Sequence, residues 1–143
     1  MKKKIIIIGA LGYLGTELCR LYSGESHYHD IVGIDDRFIS ERVNQLRNWN
    51  IEFFQVQILD KSSLITHLKD ADIVHHLAGI TDVAYVKKES SKGLDDKIKK
   101  IAIEGTNNIL ETISTYCKII FPSTHVIFEG FEKTKKNIDE EET

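Results

Sequence analysis

Lys4-Ile5-Ile6-Ile7-Ile8-Gly9-Ala10-Leu11-Gly12-Tyr13-Leu14-Gly15-Thr16-Glu17-Leu18 is the stretch that decides the fold of this 143-residue chain. Four successive β-branched residues read as a buried strand. The glycines behind them, spaced Gly9-x-x-Gly12-x-x-Gly15, read as a tight turn feeding the N-terminus of a helix. A helix N-terminus carries unpaired N–H groups and partial positive charge, which suits a pyrophosphate. Glycine is needed there because a Cβ would hold the backbone off the phosphates, or the helix off the sheet. Asp35 follows Gly15 by twenty residues, at the end of a second apolar run, Ile31-Val32-Gly33-Ile34. A carboxylate at that place accepts both hydroxyls of an adenosine ribose and repels a 2′-phosphate, which favours NAD over NADP. Arg37 tempers that preference, because a guanidinium there can receive a 2′-phosphate.

Outward from this stretch, apolar runs alternate with segments of helical period, the pattern of βαβ units and a parallel sheet. Strands are expected at 4–8, 31–34, 51–58, 72–77 and 118–121, and helices at 12–22, 39–48, 62–69 and 95–116. The last helix is the clearest. Ile98, Ile101, Ala102, Gly105, Ile109, Ile113 and Tyr116 recur at three- and four-residue spacing, with Asp95 as its cap. Right-handed crossovers then predict a doubly wound, Rossmann-like α/β domain of three αβα layers, strand order 3-2-1-4-5. Residues 1–128 form this dinucleotide-binding domain, and 129–143, ending in a run of acids, form a polar loop or tail.

Bulk properties narrow the function. The chain has 41% hydrophobic and 29% charged residues, ordinary values for a globular domain. A net charge of −3 leaves no nucleic-acid footprint. The first apolar run is too short for a signal peptide or membrane span, so no membrane partner is expected. Cys19 and Cys117 suggest neither a disulfide framework nor a metal knuckle, and both are expected reduced and buried, as in a cytoplasmic protein. No metal site is expected. His27 and His29 read as a solvated loop, and His75 and His76 as packing residues at a strand end. Lys97, Lys99 and Lys100 read as the wet face of the long helix.

With these residues in hand, the chain resembles the NAD-dependent epimerase/dehydratase family, the extended branch of the short-chain dehydrogenases/reductases. Gly9, Gly12 and Gly15 match its pyrophosphate turn and Asp35 its ribose-binding acid, with Asp36 where the family usually has Asn. Gln57-Ile58-Leu59-Asp60 is similar to its adenine loop, Gln57 standing for the usual Asp. Val74-His75-His76-Leu77-Ala78-Gly79 resembles its Val-x-His-Leu-Ala-Ala, and Ile103-Glu104-Gly105-Thr106-Asn107-Asn108 its Val-x-Gly-Thr-x-Asn. The Asn common three residues before that glycine is Ala102 here. Phe121-Pro122-Ser123-Thr124 resembles the segment bearing the catalytic Ser/Thr, which assigns that role to Thr124. The resemblance implies cofactor contacts from Gly9, Leu11, Gly12, Tyr13, Leu14, Gly15, Asp35, Asp36, Gln57, Ile58, Leu77, Ala78 and Gly79, with NAD as cofactor.

The family's base is a Tyr with a Lys four residues on, a spacing that lets the ammonium lower the phenol pKa. Here Glu17, Ser26, Val32, Glu89 and Ile120 follow the five tyrosines at that distance, so the pair is absent. By the resemblance, the pair, a sixth strand and the substrate domain lie beyond Thr143. The expected function is the NAD-binding portion of a nucleotide-sugar isomerase or lyase, inactive alone and taking the sugar nucleotide only when completed by a C-terminal region. A non-catalytic NAD(H)-binding or interaction module, or a truncated product, is the alternative. The fifth strand would then be an open edge through which copies associate.

Overall fold

The computed structural model describes residues 2–80 and 92–123, with backbone only at 92–95. Strands β1 (Lys4–Ile8), β2 (Asp30–Asp35), β3 (Glu52–Gln55), β4 (Ile73–His76) and β5 (Lys118–Ile120) form one sheet of order β3-β2-β1-β4-β5. Each neighbouring pair is parallel. Helices α1 (Tyr13–Tyr22), α2 (Ser40–Asn48), α3 (Lys61–Leu68), α4 (Lys92–Lys100) and α5 (Thr106–Thr112) connect them. The expected doubly wound sheet and its strand order are what the chain forms.

The sheet is buried on both faces because its strands alternate apolar residues between two cores. Ile6, Ile8, Val32, Ile34 and Val74 point to one side, where they pack with Leu64 and Leu68 of α3 and Ile109 of α5. Ile7 and Ile31 point to the other, where Cys19 of α1 and Val43 and Leu46 of α2 cover them. Gly33 leaves room on that second face, since a Cβ there would lie 2.9 Å from both Ala10 and Leu46.

The largest differences from the sequence reading are at β3 and along the long helix, each with a local reason. β3 is shorter than 51–58 because β2, its only partner among the described residues, ends at Asp35 opposite Gln55. Val56 makes one more bond, to the Asp35 carbonyl at 3.0 Å, and the chain then turns with the Asp60 N–H on the Gln57 carbonyl. The long helix is not one α-helix over 95–116. Between α4 and α5 it widens into a π segment at Ile101–Gly105, and it ends at Thr112, with Ile113 already extended. A run of poor helix formers, Thr112-Ile113-Ser114-Thr115, stops it. Ser114 then accepts the Tyr116 N–H on its hydroxyl and the Cys117 N–H on its carbonyl, turning the chain into β5. Tyr116 is therefore exposed, not a core residue. Cys19 is fully buried as expected, but Cys117 is only half-buried, and both are free thiols. The long helix begins at Lys92, three residues before the expected start, so Asp95 lies inside it and is not its cap. Thr124 and the 129–143 tail lie outside the described residues. Among the described residues no helix is long and apolar enough to cross a membrane.

Candidate dinucleotide cleft

The carboxyl ends of β1, β2 and β4 open into a cleft of about 680 Å³. Its floor is the glycine turn. Gly9 has φ +86°, a left-handed conformation, and a Cβ on it would meet the backbone of Leu77 and Ala78 at 2.9 Å. Its N–H bonds the Ile34 carbonyl at 2.7 Å, so the turn is tied to β2 as it passes the end of β4. Gly15 is more constrained still: a Cβ would fall 2.0 Å from the Gly9 carbonyl oxygen. The first turn of α1 thus lies directly on the loop that precedes it. Gly12 is the N-cap and no side chain caps the helix. The first N–H groups of α1 consequently face the cleft without an intrahelical acceptor.

Asp35 holds the β2 side of the cleft and is only 4% exposed. Its Oδ2 accepts the Leu11 N–H at 2.9 Å, and its Oδ1 accepts the Arg37 N–H at 3.1 Å and Nε–H at 3.0 Å. The carboxylate therefore braces the glycine turn as well as facing the cleft. Arg42 of α2 adds a second brace by donating to the Leu11 carbonyl. Burial and then the adjacent Asp35 charge push the Asp36 carboxyl above its ordinary range.

The residues singled out by sequence converge here. Gly9, Gly12, Tyr13, Leu14, Gly15, Asp35, Asp36, Gln57, Ile58, Leu77, Ala78 and Gly79 all line the cleft. Leu11 does not: its side chain is in the core with Val43 and Leu46, and only its backbone serves the turn. Tyr13 and Leu14 are exposed at the mouth. Asp60, weighed as part of the adenine loop, is the N-cap of α3. It accepts the Ser63 N–H and both the Ser62 and Ser63 hydroxyls, which hold it down at about 2.

The motif residues on the last helix position the cleft from beneath. A Cβ on Gly105 would lie 2.4 Å from Ile58, so the glycine lets the helix seat against the loop that follows β3. Asn108 donates to the Ile58 carbonyl at 3.0 Å. Thr106 bonds His76 Nε2 at 2.9 Å, while His75, one residue earlier and on the opposite face, bonds the Tyr22 hydroxyl at 2.9 Å. Both histidines are packed in the fold, as the sequence suggested, and burial lowers the pKa of each. Arg37, weighed in the sequence as a partner for a 2′-phosphate, lines the cleft; the sequence reading missed Lys97 and Lys100, which line it too. For the two lysines the usable signal was position: they precede Ile101, which turns toward the cleft with them.

Comparison with known proteins agrees with this architecture. Residues 6–143 match the 3-beta hydroxysteroid dehydrogenase/isomerase family. The chain belongs to that family. It is thereby an extended short-chain dehydrogenase/reductase, as the epimerase/dehydratase resemblance implied. It is similar to the UDP-N-acetyl-alpha-D-glucosaminuronate decarboxylase of Bacillus cytotoxicus, 29% identical over 90% of this chain and 38% of that protein. The UDP-glucose 4-epimerase of Mycoplasma genitalium is 24% identical over 98% of the chain and 41% of its own length. Among solved structures, a UDP-glucose-4-epimerase from Stenotrophomonas maltophila, with bound NAD and formylated UDP-arabinopyranose, superposes with a TM-score of 0.73. It is 17% identical, over 92% of this chain and 40% of that one. A UDP-N-acetylglucosamine 4-epimerase from Methanobrevibacter ruminantium M1, in complex with UDP-N-acetylmuramic acid, gives 0.71 at 22% identity, over 98% and 43%. The chain spans about two fifths of the length of these relatives.

Proposed function

We propose that this chain is the NAD-binding portion of a nucleotide-sugar epimerase- or dehydratase-like protein. The observation that carries the reading is the fit of the glycine turn to a diphosphate. Gly15 brings the α1 N-terminus onto the turn, no side chain caps it, and a Cβ on Gly12 would meet only the Gly9 carbonyl oxygen, at 3.2 Å, leaving the cleft side open. Asp35 would hold the adenosine ribose. All its acceptor positions are engaged by Leu11 and Arg37, so the ribose hydroxyls exchange with the exposed Arg37 guanidinium. Gln57 stands at the rim where its amide oxygen can accept from adenine. The nicotinamide, when bound, supplies the hydride acceptor and donor. Leu77, Ala78 and Gly79 would flank it at the end of β4. Thr124 would hydrogen-bond the substrate oxygen at the carbon that exchanges hydride.

The proton transfer needs a base that these 143 residues do not hold. No tyrosine here has the lysine partner that would lower its pKa. A protein of these residues alone therefore binds dinucleotide without turnover. A second reading, a non-catalytic dinucleotide-binding or interaction module, draws on Ala102, exposed where the family commonly has Asn. Calorimetric titration with NAD and NADP tests the first reading, using wild type and Asp35→Asn, whose remaining amide oxygen still accepts the Leu11 N–H. NAD binding that weakens in the variant upholds it. Absence of binding by either dinucleotide refutes it, and a measurable epimerase or dehydratase rate refutes the inactivity.

A further inference from the structure

The cleft is lined by charge of two kinds, and they are separated. Asp35 and Asp36 stand on its β2 side, where Arg37 already neutralises one of them. On the opposite side, where Ile80 and Pro122 follow β4 and β5, the lining charges are Lys97 and Lys100 of α4. They are one helical turn apart, so both ammonium groups leave the same face, next to the cleft-lining Ile101. Lys99, on the same helix, does not line the cleft. Between the two walls lies the N-terminus of α1.

We propose that Lys97 and Lys100 are a diphosphate-binding pair. An anion seated on the N–H groups of α1 meets the helix dipole on one side and these two ammonium groups on the other. The pair rests on the dinucleotide reading above and extends it to residues outside the glycine turn. The diphosphate has two sources that share this chemistry: the dinucleotide itself, or the nucleoside diphosphate of a second ligand beside it.

Calorimetry on the purified chain separates these outcomes, with NAD, adenosine and UDP as probes. The variants are Lys97→Gln/Lys100→Gln and, as control, Lys99→Gln; these lysines are exposed, so the fold is not at risk. The double variant is expected to weaken NAD about tenfold at low ionic strength, with a smaller loss at physiological salt, where screening shortens the reach of exposed charges. Adenosine binding and the Lys99→Gln protein should be unchanged. A loss confined to UDP upholds the pair and assigns it to the second nucleotide. NAD and UDP affinities equal to wild type overturn the pair and leave the dinucleotide reading intact. A parallel loss for adenosine overturns it too, because the cleft itself would then be distorted. If wild type binds neither NAD nor UDP, both readings fall.

Discussion

At the scale of single residues, the cleft depends on groups that serve the fold and the ligand together. Gly15→Ala places a methyl group on the Gly9 carbonyl, with backbone on both sides and no flexible atom to yield. The expected cost is more than about 2 kcal/mol, read as a lowered urea midpoint, with NAD affinity lost in parallel. Asp35→Ala leaves the Leu11 N–H without its acceptor, and about 1–3 kcal/mol of stability should go with it. A midpoint equal to wild type would mean that Asp35 faces the cleft only as a ligand group. His75 and His76 are both held below the ordinary imidazole range by burial. As pH falls through ~6.5, the unfolded chain takes up protons that the folded chain refuses. Stability is therefore whole above that pH and declines below it, so the urea midpoint should be lower at pH 5.5 than at pH 7.5. Asp60, held at about 2 by its hydrogen bonds, contributes stability present above its ordinary pKa and lost as pH falls toward 2. Equal midpoints at pH 7.5 and 5.5 would mean the imidazoles are protonated without strain.

At the scale of elements, the instructive one is the last helix. Its apolar period is plain in the sequence, yet the stretch forms α4, a π segment and α5, and stops short of Tyr116. The widened turn ends at Gly105, the residue in closest approach to Ile58, and π turns commonly mark such sites. From there Thr106 and Asn108 reach His76 and the Ile58 carbonyl. Asn108→Ala should cost about 1 kcal/mol by freeing that carbonyl, and should weaken dinucleotide binding as the Gln57-Ile58 loop loosens. Full affinity at reduced stability would show that the loop's position does not depend on the helix. Spacing alone could locate these residues, but not say that each holds a different part of the cleft.

At the scale of the whole molecule, the two cores are unequal in how they end. On the β3 side, Phe53 and Phe38 meet edge-to-face, 6.2 Å apart. On the other side β5 is the last strand of the sheet among the described residues, and Ile120 on it and Phe121 directly after it are 38% and 59% exposed. An apolar parallel edge strand is a pairing surface. A chain of these 143 residues is expected to self-associate with rising concentration in sedimentation velocity. A Phe121→Lys variant should shift it toward monomer, and a wild type that stays monomeric throughout would refute the open edge.

Ile5-Ile6-Ile7-Ile8 with Gly9, Gly12, Gly15 and Asp35 by themselves determined the fold class and the place of the cleft. Those features are local: a strand period, a turn that tolerates no Cβ, and a fixed spacing to the next strand. Tertiary structure alone decided that Asp35 also braces Leu11, and that Lys97 and Lys100 reach the cleft while Lys99 does not. These depend on which atoms meet across 24 or more residues of chain, or on how a helix is rotated against a sheet. Sequence periodicity gives a helix a buried face, but only packing against Ile58 and His76 sets which of its polar residues look into the cleft.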